Sequence, residues 1–109
     1  MFRSYYVYIL KCSDGTYYTG VTNDPDRRLI EHQQGLHRNS YTFSRRPVKC
    51  MYVSELFTDP SQAIEWEKQV KNWSRKKKEA LIAGKWELLP ELAKKGSKTI
   101  PSKNDNLKD

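Results

Sequence analysis

The sequence predicts an α+β fold in which a three-stranded antiparallel sheet is flanked by helices. A turn cluster, Ser13-Asp14-Gly15, separates two strand-like runs, which is typical of a β-hairpin. The pairs Asp24-Pro25 and Asp59-Pro60 each follow a strand-like run, and a capping residue followed by proline marks the start of a helix. The chain has 109 residues, which is the length of one domain.

The predicted strands are rich in β-branched and aromatic residues, as strands usually are. They are Tyr5–Leu10, Thr16–Thr22 and Val48–Phe57, and we expect the first to be central. Strand side chains alternate between faces, so Tyr8 shares its face with Tyr6 and Leu10. By the same rule Tyr18 shares a face with Gly20, which has no side chain and leaves an open position there.

The predicted helices follow from caps and apolar spacing. They are Pro25–Gln34, ended by Gly35, then Pro60–Trp73, and a short helix that begins in the run Ser74–Lys78 and ends at Gly84. An apolar stripe of Ala63, Trp66, Val70 and Trp73 makes the second helix the most clearly periodic. We expect one domain over residues 1–92 and a disordered tail over residues 93–109, where little can be buried.

The net charge of +7 indicates an anionic partner, and nucleic acid is the usual one for a small basic protein. A solvated basic surface without a partner is the alternative. No secretory signal or membrane-spanning run is visible, so we expect a cytoplasmic protein without a membrane partner. The two cysteines and two histidines lack zinc-ligand spacing, so we expect no structural zinc.

Two basic segments are candidates for nucleic-acid contact through phosphates and base stacking. The first is a predicted loop, residues 36–47, and the second is the basic run after Ser74. The candidate contacts are Arg38, Tyr41, Arg45, Arg46, Arg75, Lys76 and Lys77. For any single arginine of the loop, a plain structural or solvated role is as good an interpretation.

The predicted hairpin and first helix together offer a set of catalytic groups. Arg28 and His32 are four residues apart and lie on one helix face, near the phenols of Tyr8 and Tyr18. Such a set can bind a phosphodiester and move protons near it. Glu67 lies at the edge of the apolar stripe, where a carboxylate is costly unless it pairs or binds a cation. An ion pair with Lys71, one turn on, is the alternative interpretation.

These residues occur in an ordered pattern. Tyr6-Val7-Tyr8, nine residues, Tyr18-Thr19-Gly20, and then Arg28, His32 and Glu67 resemble the GIY-YIG nuclease pattern, and more narrowly small stand-alone GIY-YIG domain proteins. The likeness covers roughly residues 4 to 90, and the ordered set is far more specific than any one motif. Tyr6 replaces the glycine of the first motif and Thr19 the isoleucine of the second, and neither change removes a catalytic group.

The resemblance implies a metal-dependent DNA endonuclease whose products carry a 5′-phosphate and a 3′-hydroxyl. It implies that Glu67 holds one Mg²⁺ or Mn²⁺ ion, which can keep several water ligands. It implies further that Tyr8 accepts the proton of the attacking water and that His32 shares or relays it. Tyr18 would hold the phosphate or the water, and Arg28 would stabilise the extra negative charge.

A catalytically inactive nucleic-acid-binding module with the same fold is the main alternative, and a basic interaction domain that binds no nucleic acid is another. For the nuclease we expect action in DNA repair or recombination, with selectivity for DNA structure. Specificity would then come from the basic segments or from a protein partner. Metal titration distinguishes the nuclease from the inactive binding module, because only the nuclease cleaves DNA.

Overall fold

The predicted strands form one antiparallel sheet in the computed structural model, which describes residues 4–85. The chain divides into two units after Asn72. The first unit holds β1 (Tyr6–Lys11), β2 (Tyr17–Thr22), α1 (Pro25–Gln34), a 3-10 turn (Phe43–Arg45), β3 (Lys49–Val53) and α2 (Pro60–Lys71). The second unit holds α3 (Arg75–Ile82). The predicted α+β class is confirmed.

The sheet has the order β2-β1-β3, so β1 is central as predicted. Tyr8 pairs with Gly20 and Leu10 pairs with Tyr18 in the antiparallel β1–β2 register. Because directly paired residues lie on the same face, this register places the phenols of Tyr8 and Tyr18 on one side of the sheet.

The third strand is shorter than the predicted Val48–Phe57. At Ser54 the side-chain hydroxyl accepts a hydrogen bond from the Val7 backbone at 2.9 Å, in place of a ladder carbonyl. The Ser54 N–H still donates to the Val7 carbonyl at 2.8 Å, but β3 ends at Val53, and an isolated bridge between Tyr5 and Phe57 follows.

The two helices of the first unit begin where their caps predict. The Asp24 carboxylate accepts from the Arg27 backbone at 3.1 Å, and α1 ends at Gly35, whose φ of 71° is left-handed. Helix α2 begins at Pro60 after the Asp59 cap but ends at Lys71, two residues before the predicted Trp73. There the side-chain amide of Asn72 donates to the Lys68 carbonyl, closing the last turn.

The core lies on both faces of β1. On one face Tyr8 and Leu10 cluster with Cys12 and Val48, and the partly buried Leu29 of α1 packs against them. Val7 and Ile9 on the other face are fully buried. Helix α2 contacts β2 and β1, with Ala63 and Val70 of its predicted stripe fully buried. This packing holds α1 and the β1–β2 hairpin in a defined relation.

Two predictions lie partly or wholly outside the described part of the chain. The predicted tail, residues 93–109, is outside it, and so are residues 86–92 at the end of the predicted domain. Those boundaries stay predictions. Within residues 4–85, no helix combines the length and apolar character needed to cross a bilayer.

Candidate active site

The first helix places its buried histidine directly against the central strand. His32 is 3% exposed, and its Nε2 lies 3.0 Å from the hydroxyl of Tyr8, whose residue is also 3% exposed. Gly20 makes room for this contact, because a Cβ at that position would lie 2.5 Å from the Tyr8 oxygen. Any larger residue at position 20 would therefore displace the phenol.

The other nitrogen of His32 is held by the loop that follows α1. His32 Nδ1 lies 2.7 Å from Thr42 Oγ1, which in turn lies 3.0 Å from Ser40 Oγ. Thr42 is 1% exposed, so this line of hydrogen bonds is shielded from water. Sequence analysis did not identify Thr42, because nothing local separates it from the other hydroxyl residues of a polar loop.

Arg28 lies one helical turn before His32, and its side chain is 31% exposed. Its Nε lies 3.4 Å from Glu31 Oε1, but this atom is buried and the contact lacks hydrogen-bond geometry. The contact is therefore one of charge rather than a hydrogen bond. Glu31 also faces Arg27 at 3.4 Å and accepts from His37 at 2.9 Å, so its negative charge is shared among three groups.

Arg28 and His32 border an open cleft of about 530 Å³, and the buried Tyr8 lies behind its wall in contact with His32. The cleft is lined by Tyr18, Arg28, His32, His37, Arg38, Asn39, Ser40 and Tyr41. Two of these side chains are arginines, and no carboxylate stands among the lining residues that the structure describes. A cleft with that lining favours an anion such as a phosphodiester.

Burial sets the protonation of the two central groups. It raises the pKa of Tyr8 well above its ordinary value, and the neighbouring Tyr18 acts in the same direction, whereas Arg28 opposes them by charge and hydrogen bonding. Burial is also the main reason that the pKa of His32 is lowered, and the positive charge of Arg28 adds to it. Near neutral pH, Tyr8 therefore keeps its proton and His32 is a neutral imidazole.

The structure brings Tyr8, Tyr18, Arg28 and His32 together. Neither Tyr8 nor Glu67 lines the cleft, but Tyr8 contacts the lining residue His32, whereas the ion pair of Glu67 is with Lys71. The Glu67 side chain is 13% exposed, and its Oε2 lies 3.5 Å from Lys71 Nζ. This is the ion pair that the sequence analysis weighed as the alternative. Within residues 4–85 no group of three or more His, Cys, Asp or Glu side chains could hold a metal ion.

The loop arginines make contacts within the protein. Arg45 donates to Asp14 at 3.1 Å and to the Tyr41 carbonyl at 2.7 Å, and its guanidinium lies 3.8 Å from the centre of the Tyr41 ring. Arg46 donates to the Phe43 carbonyl at 2.9 Å. Contact of these arginines with nucleic acid stays a prediction. Arg38, by contrast, is exposed and lines the cleft.

The ring of Tyr41 has neighbours of its own. It stacks on Tyr18 with a centroid distance of 6.1 Å and an interplanar angle of 18°, and Arg45 also lies over it. Stacking on a nucleobase would compete with these contacts. The predicted role of Tyr41 as a base-stacking residue therefore stays a prediction.

The basic run in the second unit does not behave as one surface. Lys77 is 2% exposed, and its Nζ lies 4.1 Å from the centre of the Trp73 ring. The burial of its ammonium group argues against contact of Lys77 with nucleic acid, and that contact stays a prediction. Arg75 pairs with Glu79 at 3.1 Å, and Lys76 is exposed.

The hairpin and α1 bring two phenols, a guanidinium and an imidazole together beside a cleft lined by two arginines, and such a set of groups can bind a phosphodiester and move protons near it. The family described as "GIY-YIG catalytic domain" matches residues 4–80. The chain belongs to this family, which is a nuclease family.

Its relatives include small proteins that the match covers for the most part. A "UPF0213 protein" of Bacillus pumilus is 43% identical over 80 residues, which are 73% of this chain and 80% of that one. A "UPF0213 protein" of Halobacterium salinarum is 46% identical over 78 residues, covering 72% of this chain and 99% of that one. The solution NMR structure of protein EF2693 from E. faecalis is 37% identical, with a TM-score of 0.51 over 77% of this chain and 90% of that one.

Proposed function

We propose that this protein is a divalent-metal-dependent endonuclease that hydrolyses phosphodiester bonds in DNA. The observation that carries the proposal is the 3.0 Å contact between the Tyr8 hydroxyl and His32 Nε2 beside a positively charged cleft. This pair can remove a proton from an attacking water, which is what hydrolysis of a phosphodiester requires.

Two proton transfers are coupled. Tyr8 has a raised pKa and keeps its own proton, so it can accept a proton from water only while its phenol proton moves to another group. His32 Nε2 is the acceptor, because the imidazole is neutral and in hydrogen-bond contact with the phenol. Arg28 then balances the negative charge that develops on the phosphate, and Tyr18 orients the phosphate or the water.

The proposed metal ion needs few ligands from the protein. Magnesium and manganese favour oxygen ligands, and Mg²⁺ retains several waters, so a single carboxylate is a sufficient protein ligand. Glu67 fits that requirement, because its partner Lys71 is 58% exposed at a separation of 3.5 Å and can be exchanged for a cation at little cost. A bound ion would supply charge neutralisation at the phosphate and at the leaving oxygen.

The finer features are part of the same proposal. The products carry a 5′-phosphate and a 3′-hydroxyl, and the enzyme acts on branched or otherwise distorted DNA in repair or recombination. The arginines that line the cleft support selectivity for DNA structure, because they can contact the phosphates of DNA and such contacts carry no sequence information by themselves. The exposed Arg38, together with Arg75 and Lys76, would add backbone contacts, and a protein partner would add selectivity.

A nicking assay on plasmid and on branched, flapped and single-stranded DNA tests the proposal with Mg²⁺, Mn²⁺ or chelator. We expect cleavage that needs metal, and a fall of about 100-fold or more in Tyr8→Phe and in Glu67→Gln. The matched controls are Tyr5→Phe on the same strand region and Glu65→Gln on the exposed face of α2, which should cut normally.

Full activity in both test variants would overturn the assignment of these residues. Salt-dependent DNA binding without cleavage in either metal would instead identify an inactive nucleic-acid-binding module.

A further inference from the structure

The line of hydrogen bonds behind Tyr8 extends beyond the residues that the proposed reaction uses. It runs from Tyr8 through both nitrogens of His32 to Thr42 and Ser40, over 3.0, 2.7 and 3.0 Å. His32 and Thr42 are both buried, so water cannot replace a lost hydrogen bond at their polar atoms without a cost in free energy. Every hydrogen in such a line has to point one way.

The proposed reaction requires one direction, because His32 Nε2 has to be unprotonated to take the proton of Tyr8. When the Tyr8 hydrogen points at Nε2, the phenol oxygen keeps its lone pairs for its other neighbours, Arg28 and Tyr18. In a neutral imidazole the proton is then on Nδ1, which donates to Thr42 Oγ1.

The Thr42 end is compatible with the same direction. When Thr42 Oγ1 accepts from His32, its hydroxyl hydrogen is free to point at Ser40 Oγ, 3.0 Å away. Ser40 Oγ also accepts the backbone N–H of Thr42 at 3.2 Å, which fixes the two hydroxyl groups relative to each other. The loop can thus present an acceptor oxygen to Nδ1.

We propose that Thr42 is a positioning residue that holds His32 as the Nδ1–H tautomer and so keeps Nε2 open to take the proton of Tyr8. The inference rests on the proposed function for its catalytic meaning. The tautomer itself is a property of the free protein and can be measured without any substrate.

Other charged or titratable groups face His32 and must be held constant in the test. They come from every element around the ring: Tyr8 on β1, Tyr18 on β2, Arg28 and Glu31 on α1, and His37 in the following loop. The variants below leave all of them in place, so a change in His32 can be assigned to the loop hydroxyl.

Long-range ¹H–¹⁵N NMR of the His32 ring, in the full chain at mildly alkaline pH, reads the tautomer directly. In the wild-type protein we expect a protonated Nδ1 and an unprotonated Nε2. Thr42→Val keeps the side-chain shape but has no acceptor, so the Nε2–H form should gain population. Thr42→Ser restores the acceptor and should keep the wild-type pattern, and Ser44→Ala on the same loop is an exposed control that should not change it.

Cleavage kinetics provide the second readout. Thr42→Val should lower kcat by roughly 10-fold to 100-fold with little change in KM, less than the complete loss of acid–base assistance. Thr42→Ser should recover most of kcat, which loss of packing alone would not explain. Ser40→Ala should give a smaller drop, because it removes only the outer partner of Thr42.

A wild-type His32 protonated on Nε2 would overturn the inference, and so would a tautomer that Thr42→Val leaves unchanged. The wild-type spectrum needs no variant, so the inference stays testable if Thr42→Val does not fold. An Nδ1–H tautomer controlled by Thr42 in a protein that never cuts DNA would support the assignment and overturn the proposed function instead.

Discussion

Arginines in the cleft and arginines in the neighbouring loop are chemically identical but differ in what they can reach. Arg28 lies in the cleft, where its charge lowers the pKa of Tyr8, and the contact of its Nε with Glu31 is electrostatic without a hydrogen bond. Arg45 and Arg46 donate to backbone carbonyls and lie over aromatic rings of their own loop. A guanidinium already bound to its own chain has fewer donors left for a phosphate than one that faces an open cleft.

The position of each arginine in the fold therefore determines, more than the number of arginines, which of them can reach an anion. Arg46 illustrates this, because its guanidinium also lies across Gly35, where a Cβ would come within 2.6 Å of Nη1. Gly35 thus both ends α1 with a positive φ and leaves room for the arginine. The conformation of the basic loop is therefore stabilised by contacts of its own arginines within the protein.

The largest expected difference is between Arg28→Gln and Arg45→Gln in a single-turnover cleavage assay. Arg28→Gln should lose about 100-fold or more, because it removes a donor aimed at the developing charge. Arg45→Gln should change the rate by only a few-fold, since its donors serve Asp14 and Tyr41. Arg27→Gln is the matched control beside Arg28. An equal loss in Arg28→Gln and Arg45→Gln would show that the cleft arginine and the loop arginine do not differ in their contribution to cleavage.

Gly20→Ala tests how tightly the cleft is assembled. The new Cβ would meet the Tyr8 oxygen at 2.5 Å and Cζ at 2.6 Å, so we expect a loss of about 1–3 kcal/mol in unfolding free energy together with slower cleavage. Chemical denaturation measures the first quantity. In a Tyr8→Leu background the cost of Gly20→Ala should shrink, and a cost that stays the same would show that the clash is not with the phenol.

Arg46→Met tests the structural role of the loop arginines. It keeps much of the side-chain bulk but removes the hydrogen bonds to the Phe43 and Gln33 carbonyls, so we expect a stability loss of about 1 kcal/mol. The salt dependence of DNA binding should hardly change, whereas Arg38→Met should reduce its slope. The opposite pattern, in which Arg46→Met weakens binding but leaves stability unchanged, would assign Arg46 to the nucleic-acid surface.

The smallest expected effect is the pH dependence that His32 adds. Its pKa is lowered in the folded protein, so it binds protons less readily there than in the unfolded chain, where a histidine titrates near pH ~6.5. Its contribution to stability is therefore complete above about pH 6.5 and is lost as the pH falls through the lower folded pKa. Cleavage should likewise persist below pH ~6.5 and fall only when the folded imidazole becomes charged.

Denaturation midpoints and cleavage rates measured across this range check the pH prediction, with His32→Gln as the variant in which this acid-side loss should disappear. His37→Gln is the exposed comparison, and it should leave most of the loss in place. A rate that already falls above pH 6.5 in the wild-type protein would mean that the imidazole is charged too early to accept the proton of Tyr8.

Much of the fold could be predicted from the sequence because its signals are local. The Asp24 and Asp59 caps, the prolines after them and the positive φ of Gly35 act over one turn, and the structure places α1 at Pro25–Gln34 as predicted. Strand alternation predicted which residues share a face within each strand, but the β1–β2 register was needed to place Tyr8 and Tyr18 on the same face of the sheet. The early end of β3 was not predictable, since it depends on a hydrogen bond from Val7 to Ser54 across 47 positions.

Local patterns predicted the strands and helices, their order and the residue types that meet at the hairpin and α1. Which side chains face solvent and which are bonded within the protein depended on the folded arrangement of distant segments. Thr42 joins the His32 line, Arg45 and Arg46 bind their own loop, and Lys77 is buried against Trp73. The reason is physical: period and capping act between near neighbours, whereas burial and hydrogen-bond partners depend on which segments the fold brings together.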